Sequence, residues 1–148
     1  LGLVPTVSGW KAYYQDPTYY QNWINSNTIQ QRSALITSLI NGFTRGSTSI
    51  KFDPIAYVQQ FPNATVQDPD LLIDLIIRYL LPLDLSASFK TETKIQTLLG
   101  GQVTNNYWTT AWNNYTGTPG NTSYANIVKT RINSLLTTLL QLAEYQLM

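Results

Sequence analysis

Any chemistry in this chain is done without histidine or cysteine, because the sequence contains neither. That removes His-based triads, Cys nucleophiles and metal ligation by thiolate or imidazole. The remaining charged groups are 8 acidic and 9 basic residues in 148. Hydrolysis of a sugar linkage needs two carboxyls about 5–9.5 Å apart. The closest acidic pair in sequence, Asp68 and Asp70, flanks Pro69. It reads instead as a helix N-cap followed by a first-turn acid favoured by the helix dipole. Asp53, before Pro54, is a second cap of this kind, while Asp84, Glu92 and Glu144 stand singly. A serine nucleophile would need a lysine base in place of the missing histidine. Ser88 and Lys90 are two apart and do not share a helix face. No catalytic residue, metal or cofactor is expected.

Binding chemistry rests on the aromatic residues. Tyr107, Trp108, Ala111, Trp112 and Tyr115 recur at i, i+1, i+4, i+5 and i+8, which makes one helix face almost entirely of rings. Such a face either stacks on sugar rings or packs into the core, where each aromatic hides roughly 150–250 Å². A second cluster, Trp10, Tyr13, Tyr14, Tyr19, Tyr20 and Trp23, puts six aromatics into fourteen residues. It fits a local core, a seam against preceding polypeptide or a ligand groove. The candidate binding residues are therefore Trp10, Tyr13, Tyr14, Trp23, Trp108 and Trp112. Arg131 falls on the apolar side of its helix, between Val128 and Leu135. A structural ion pair or a contact to a backbone carbonyl is the expectation there, because a buried Arg needs a partner. An anion site would lack a second basic residue nearby in sequence. Asn63-Ala-Thr, Asn114-Tyr-Thr and Asn121-Thr-Ser match the glycosylation acceptor pattern, but Asn and Thr are abundant enough for chance matches.

The elements that must position these residues are helical. Ser26-Asn27-Thr28 offers caps for a helix to about Asn41, with the stripe Ile29, Leu35, Ile36, Leu39, Ile40 and Phe43, stopped by Gly42. Asp53-Pro54 starts a helix to about Gln60, and Asp68-Pro69 one to about Leu81. The second is apolar nearly all round and predicts a buried central helix, with Asp74 and Arg78 paired across one turn. Ser86 caps a helix to Leu99, and the aromatic helix follows. The last helix, from near Ser123 almost to the end, carries Tyr124, Ile127, Val128, Ile132, Leu135, Leu136, Leu139, Leu140, Ala143 and Leu147. No strand is expected. The reading is an all-α irregular bundle of about six to seven helices with a long C-terminal helix, in one domain over 1–148. A loop at Gly46-Ser-Thr-Ser separates 1–46 from 51–148 as candidate subregions. Only 11% of residues are charged and the net charge is +1. That speaks against a nucleic-acid surface, which needs clustered Lys and Arg. The densest apolar run, Leu71 to Leu83, is shorter than the roughly 20 residues of a membrane span.

Several motifs occur in a recognisable order. They are Pro5-Thr-Val-Ser-Gly9-Trp10, then Trp23-Ile-Asn25-Ser-Asn-Thr28 and Arg32, then Tyr107-Trp108-Thr-Thr-Ala-Trp112, Arg131-Ile132 and the ending Leu142-Ala-Glu144-Tyr145-Gln-Leu-Met148. Together they resemble the C-terminal portion of the DUF1800 family, in the form common among Bacteroidetes. Lys11-Ala12 stands where the family often has Pro-Gly, and Ala143 where it often has Pro. The resemblance implies a piece of a larger secreted, periplasmic or outer-envelope bacterial protein, and implies no reaction. The expected function is a helical structural or interaction module whose partner is the upstream region of the same protein. Two alternatives stand beside it. One is a carbohydrate-binding module that meets a neutral glycan on Trp and Tyr platforms. The other is a non-catalytic part of an enzyme whose active site lies upstream.

Overall fold

The structure, a computed structural model, describes residues 26–146. The order is α1 (Ser26–Asn41), β1 (Phe43–Arg45), β2 (Thr48–Ile50), α2 (Pro54–Val58), α3 (Asn63–Gln67), α4 (Pro69–Leu80), α5 (Ala87–Thr97), α6 (Asn106–Gly117), α7 (Thr122–Leu140) and α8 (Ala143–Gln146). The chain is mostly helical, with a long helix near its C-terminus, as the periodicity predicts.

Helix starts are written in the caps. The Asp53 carboxylate accepts from the Ile55 and Ala56 amides at 3.0 and 3.3 Å, and Asp68 accepts from Asp70 and Leu71 at 2.9 and 3.4 Å. Each is followed by Pro at the first helical position, where a missing N–H costs nothing. Ser86 caps α5 through the Phe89 amide, and Asn121 caps α7 through Ser123 and Tyr124.

The core is organised around α7, which packs against α1, α2, α4, α5 and α6. Its buried stripe is Val128, Ile132, Leu135, Leu136 and Leu139. The expected stripe ran further at both ends, but Ile127 is exposed and the helix stops at Leu140. Gln141 ends it, and Gln146 of the short α8 folds back to donate to the Leu140 carbonyl at 2.7 Å. That bond satisfies one of the carbonyls a helix end leaves orphaned.

Four further expectations are corrected. Helix α4 buries one face only, through Leu72, Ile73, Ile76 and Ile77, while Leu71 and Tyr79 are 50% and 67% exposed. Asp74 pairs not with Arg78 but with Lys90 of α5, at 2.8 Å, and Lys90 also holds Asp84 at 2.7 Å. In α1 only Ile36 and Ile40 are buried; Ile29, Leu35 and Leu39 are exposed. The segment read as a loop is a hairpin, with Phe43 opposite Ile50 and Arg45 opposite Thr48. Its two-residue turn is Gly46-Ser47, with Gly46 at φ 62°.

Candidate functional site

The aromatic helix α6 is built into the core. Trp108 and Trp112 are 0% and 2% exposed, so of the two readings open for this face the core is the one observed, and neither ring is a ligand platform. The reason is visible one helix away. Helix α3 has five residues, too few to satisfy its own C-terminal carbonyls. Donors from α6 satisfy them instead. The Trp108 indole N–H donates to the Val66 carbonyl at 2.7 Å, and the Thr109 hydroxyl donates to Gln67 at 3.0 Å. The Trp112 indole N–H donates to the Asn63 side-chain oxygen at 2.8 Å. The two indoles stack with centroids 6.1 Å apart, and Tyr115 extends the row at 5.6 Å. These rings bury apolar area and use their polar edges to hold α3 in place.

A charged contact extends this clamp. Asp70, in the first turn of α4, accepts from the Lys94 ammonium at 2.5 Å and from the Asn105 amide at 2.6 Å. Burial acts to raise the Asp70 pKa, and the bonds from Lys94 and Asn105 outweigh it, so the carboxyl sits below its ordinary range. Lys94 is itself buried, and this partner is what makes its charge tolerable.

The outer side of α6 faces a cleft of about 460 Å³ against α7. Its wall on α6 carries Asn106, Tyr107, Thr110, Ala111 and Asn114; α7 contributes Tyr124, Ile127 and Arg131. Tyr107 is 48% exposed. Arg131 reaches across and donates to the Tyr107 carbonyl at 2.7 Å, the backbone contact anticipated for it. Burial pushes its guanidinium pKa down, and no carboxylate among the described residues offsets that. The ion pairs among the described residues involve Lys90 and Lys94, not Arg131. Tyr124 and Ile127 belong to the apolar stripe expected of the last helix, and here they line a cleft instead. The signal that could have found this cleft is Arg131 itself, lying seven residues after Tyr124 on one face of α7.

A second concavity, of about 380 Å³, is almost wholly apolar. Leu39 of α1, Ile50 of β2, Phe52, Tyr57 of α2, Leu80 of α4 and Leu140 of α7 line it, together with Lys51. A row of rings runs from it: Phe52 to Tyr57 at 5.7 Å, Tyr57 to Phe61 at 5.5 Å, and Phe61 to Tyr79 at 5.5 Å. Burial raises the Tyr57 phenol pKa, with a smaller contribution from the neighbouring Tyr79. Leu35, 57% exposed, continues the apolar face one turn before Leu39.

Of the other singled-out residues, Arg32 is partly buried on α1 and Glu144 is exposed on α8, while Tyr145 packs against the core. Pro5, Gly9, Trp10, Tyr13, Tyr14, Trp23 and Asn25 lie outside the described residues. Among the described residues no cluster of three or more acidic side chains is placed to hold a metal, and no helix is long and apolar enough to cross a membrane. Comparison with protein-family models, curated proteins and solved structures finds no match.

Proposed function

We propose that this chain is a helical packing and interaction module of a larger secreted or envelope-associated bacterial protein of the DUF1800 type. Its role is to receive the polypeptide that precedes α1. The observation that carries the reading is the apolar groove of Leu39, Ile50, Phe52, Tyr57, Leu80 and Leu140, continuous with exposed Leu35 on α1. A patch of this kind on a charge-poor chain is a contact surface awaiting its other half. Residues 1–25 run directly into α1, and their aromatic cluster from Trp10 to Trp23 has the matching chemistry: many rings and few charges. The placement of the larger protein in the envelope rests on the motif resemblance.

Photo-crosslinking tests the reading. Benzoylphenylalanine replaces Leu39 in one variant and Ile50 in another, in the intact 148-residue chain. The expected products join either position to peptides within residues 10–23 of the same chain. Cross-links only to a second copy, shown by mixing isotopically light and heavy chains, would overturn the proposal. So would the absence of cross-links from both positions in folded protein.

A further inference from the structure

We propose that the cleft between α6 and α7 is a binding site for a sugar carrying a carboxylate, a hexuronate unit, with Arg131 as its anion contact. The site is separate from the apolar groove and does not depend on the function proposed above.

Three observations carry this. The cleft, at about 460 Å³, is in the size range of small-ligand sites. Its lining is a mixture suited to a sugar. The Tyr107 and Tyr124 side chains and Ile127 offer apolar surface for the C–H face of a pyranose. Thr110, Asn106 and Asn114 offer hydroxyl and amide groups that both donate and accept, as ring hydroxyls require. The third observation is Arg131. One of its nitrogens is spent on the Tyr107 carbonyl, which fixes the guanidinium across the cleft. No carboxylate among the described residues pairs with it. A guanidinium has five N–H donors, and its strongest partner is a carboxylate held by two parallel bonds. A neutral sugar would leave that charge without a counter-ion, so the acid form is the better match. A peptide carboxylate would use Arg131 but leave the Asn and Thr groups without equivalent hydroxyl partners.

The test is a titration of the intact chain with digalacturonate and, in parallel, with neutral galactobiose, followed by amide chemical shifts. The expected result is saturable binding of digalacturonate, with shifts centred on residues 104–114 and 124–131 and weak or no binding of galactobiose. Arg131→Gln should weaken digalacturonate binding by about tenfold or more, the scale of a lost charge-assisted pair. Thr110→Trp, from an exposed position on the cleft wall, should abolish it by filling the space. This second variant keeps the test decisive if Arg131→Gln fails to fold. Equal binding of both disaccharides would overturn the proposal. So would no binding of digalacturonate, or binding unchanged by Thr110→Trp.

Discussion

Replacing Trp108 by Phe should cost about 2–5 kcal/mol, and replacing Trp112 by Phe about 1–3 kcal/mol less than that. Both changes remove the same atoms from nearly inaccessible sites, so the loss of ring contacts is similar, about 1–2 kcal/mol as a fraction of a full Trp truncation. The difference lies in the acceptor left behind. Trp108 donates to the backbone carbonyl of Val66, a residue with no exposure, and that carbonyl has nowhere to turn. An unsatisfied buried acceptor adds about 1–3 kcal/mol. Trp112 donates to the side chain of Asn63, an exposed residue whose amide water can serve. Urea denaturation followed by far-UV circular dichroism measures both variants against the parent chain. The double variant should cost less than the sum, because the two indoles stack on one another. Equal costs, or a larger cost at Trp112, would refute the account of α6 as a donor clamp on α3.

Other expectations follow from the same geometry. Gly42 sits at φ 92° after α1, where an added Cβ would lie 3.2 Å from the Ile50 carbonyl oxygen. Gly42→Ala should therefore destabilise by about 1–2 kcal/mol in thermal melts, and more than Gly46→Ala, whose Cβ would meet open space. Asp53→Ala removes the α2 cap and should cost about 1 kcal/mol, while Asp53→Asn should recover most of it. The Asp70 carboxyl is held below its ordinary value of 3.8, so its stabilisation is complete above that value and is lost as pH falls through the lower folded one. Melting temperature should thus fall on acidification below about pH 5, with a shallower fall in Asp70→Asn. Lys90 behaves oppositely. Its hydrogen bonds to Asp74 and Asp84 raise its pKa, so that contribution is present below 10.5 and fades as pH climbs through the raised value.

What the sequence made legible was local chemistry. Asp53-Pro54, Asp68-Pro69 and Ser86 mark helix starts because a cap is decided within four residues. The stripe on α7 was readable because eight of its apolar positions recur over nineteen residues. The fate of exposed apolar positions was not readable. Leu35 and Ile36 are adjacent and equally apolar, and only the placement of α7 decides that Ile36 is the buried one. The hairpin escaped because three-residue strands show no alternation, although Gly46-Ser47 is itself a turn signal. Helix α3 escaped because its C-terminal hydrogen bonds come from residues more than forty positions away. The cleft depends on the same kind of distant pairing, Arg131 with the Tyr107 carbonyl.

The two faces of α6 are mechanically linked. A helix can present a binding wall only if it does not rotate about its axis or slide along it when loaded. In α6 both motions are blocked from the inner side. Trp108 and Trp112, one turn apart, are each tied to α3 by a directional bond, and Asn105 at the helix start is tied to Asp70 of α4. On the outer side Arg131 ties the first turn to α7. Tyr107, Thr110 and Asn114, at spacings of three and four, are therefore held as one row. The two buried tryptophans serve the cleft indirectly, by fixing the helix that carries it. Trp112→Phe should consequently leave α6 folded but loosen its register. The sign would be faster amide exchange across Asn106–Gly117 and weaker digalacturonate binding, although position 112 does not line the cleft. Unchanged exchange along α6 in that variant would show that the outer row is held by α7 alone.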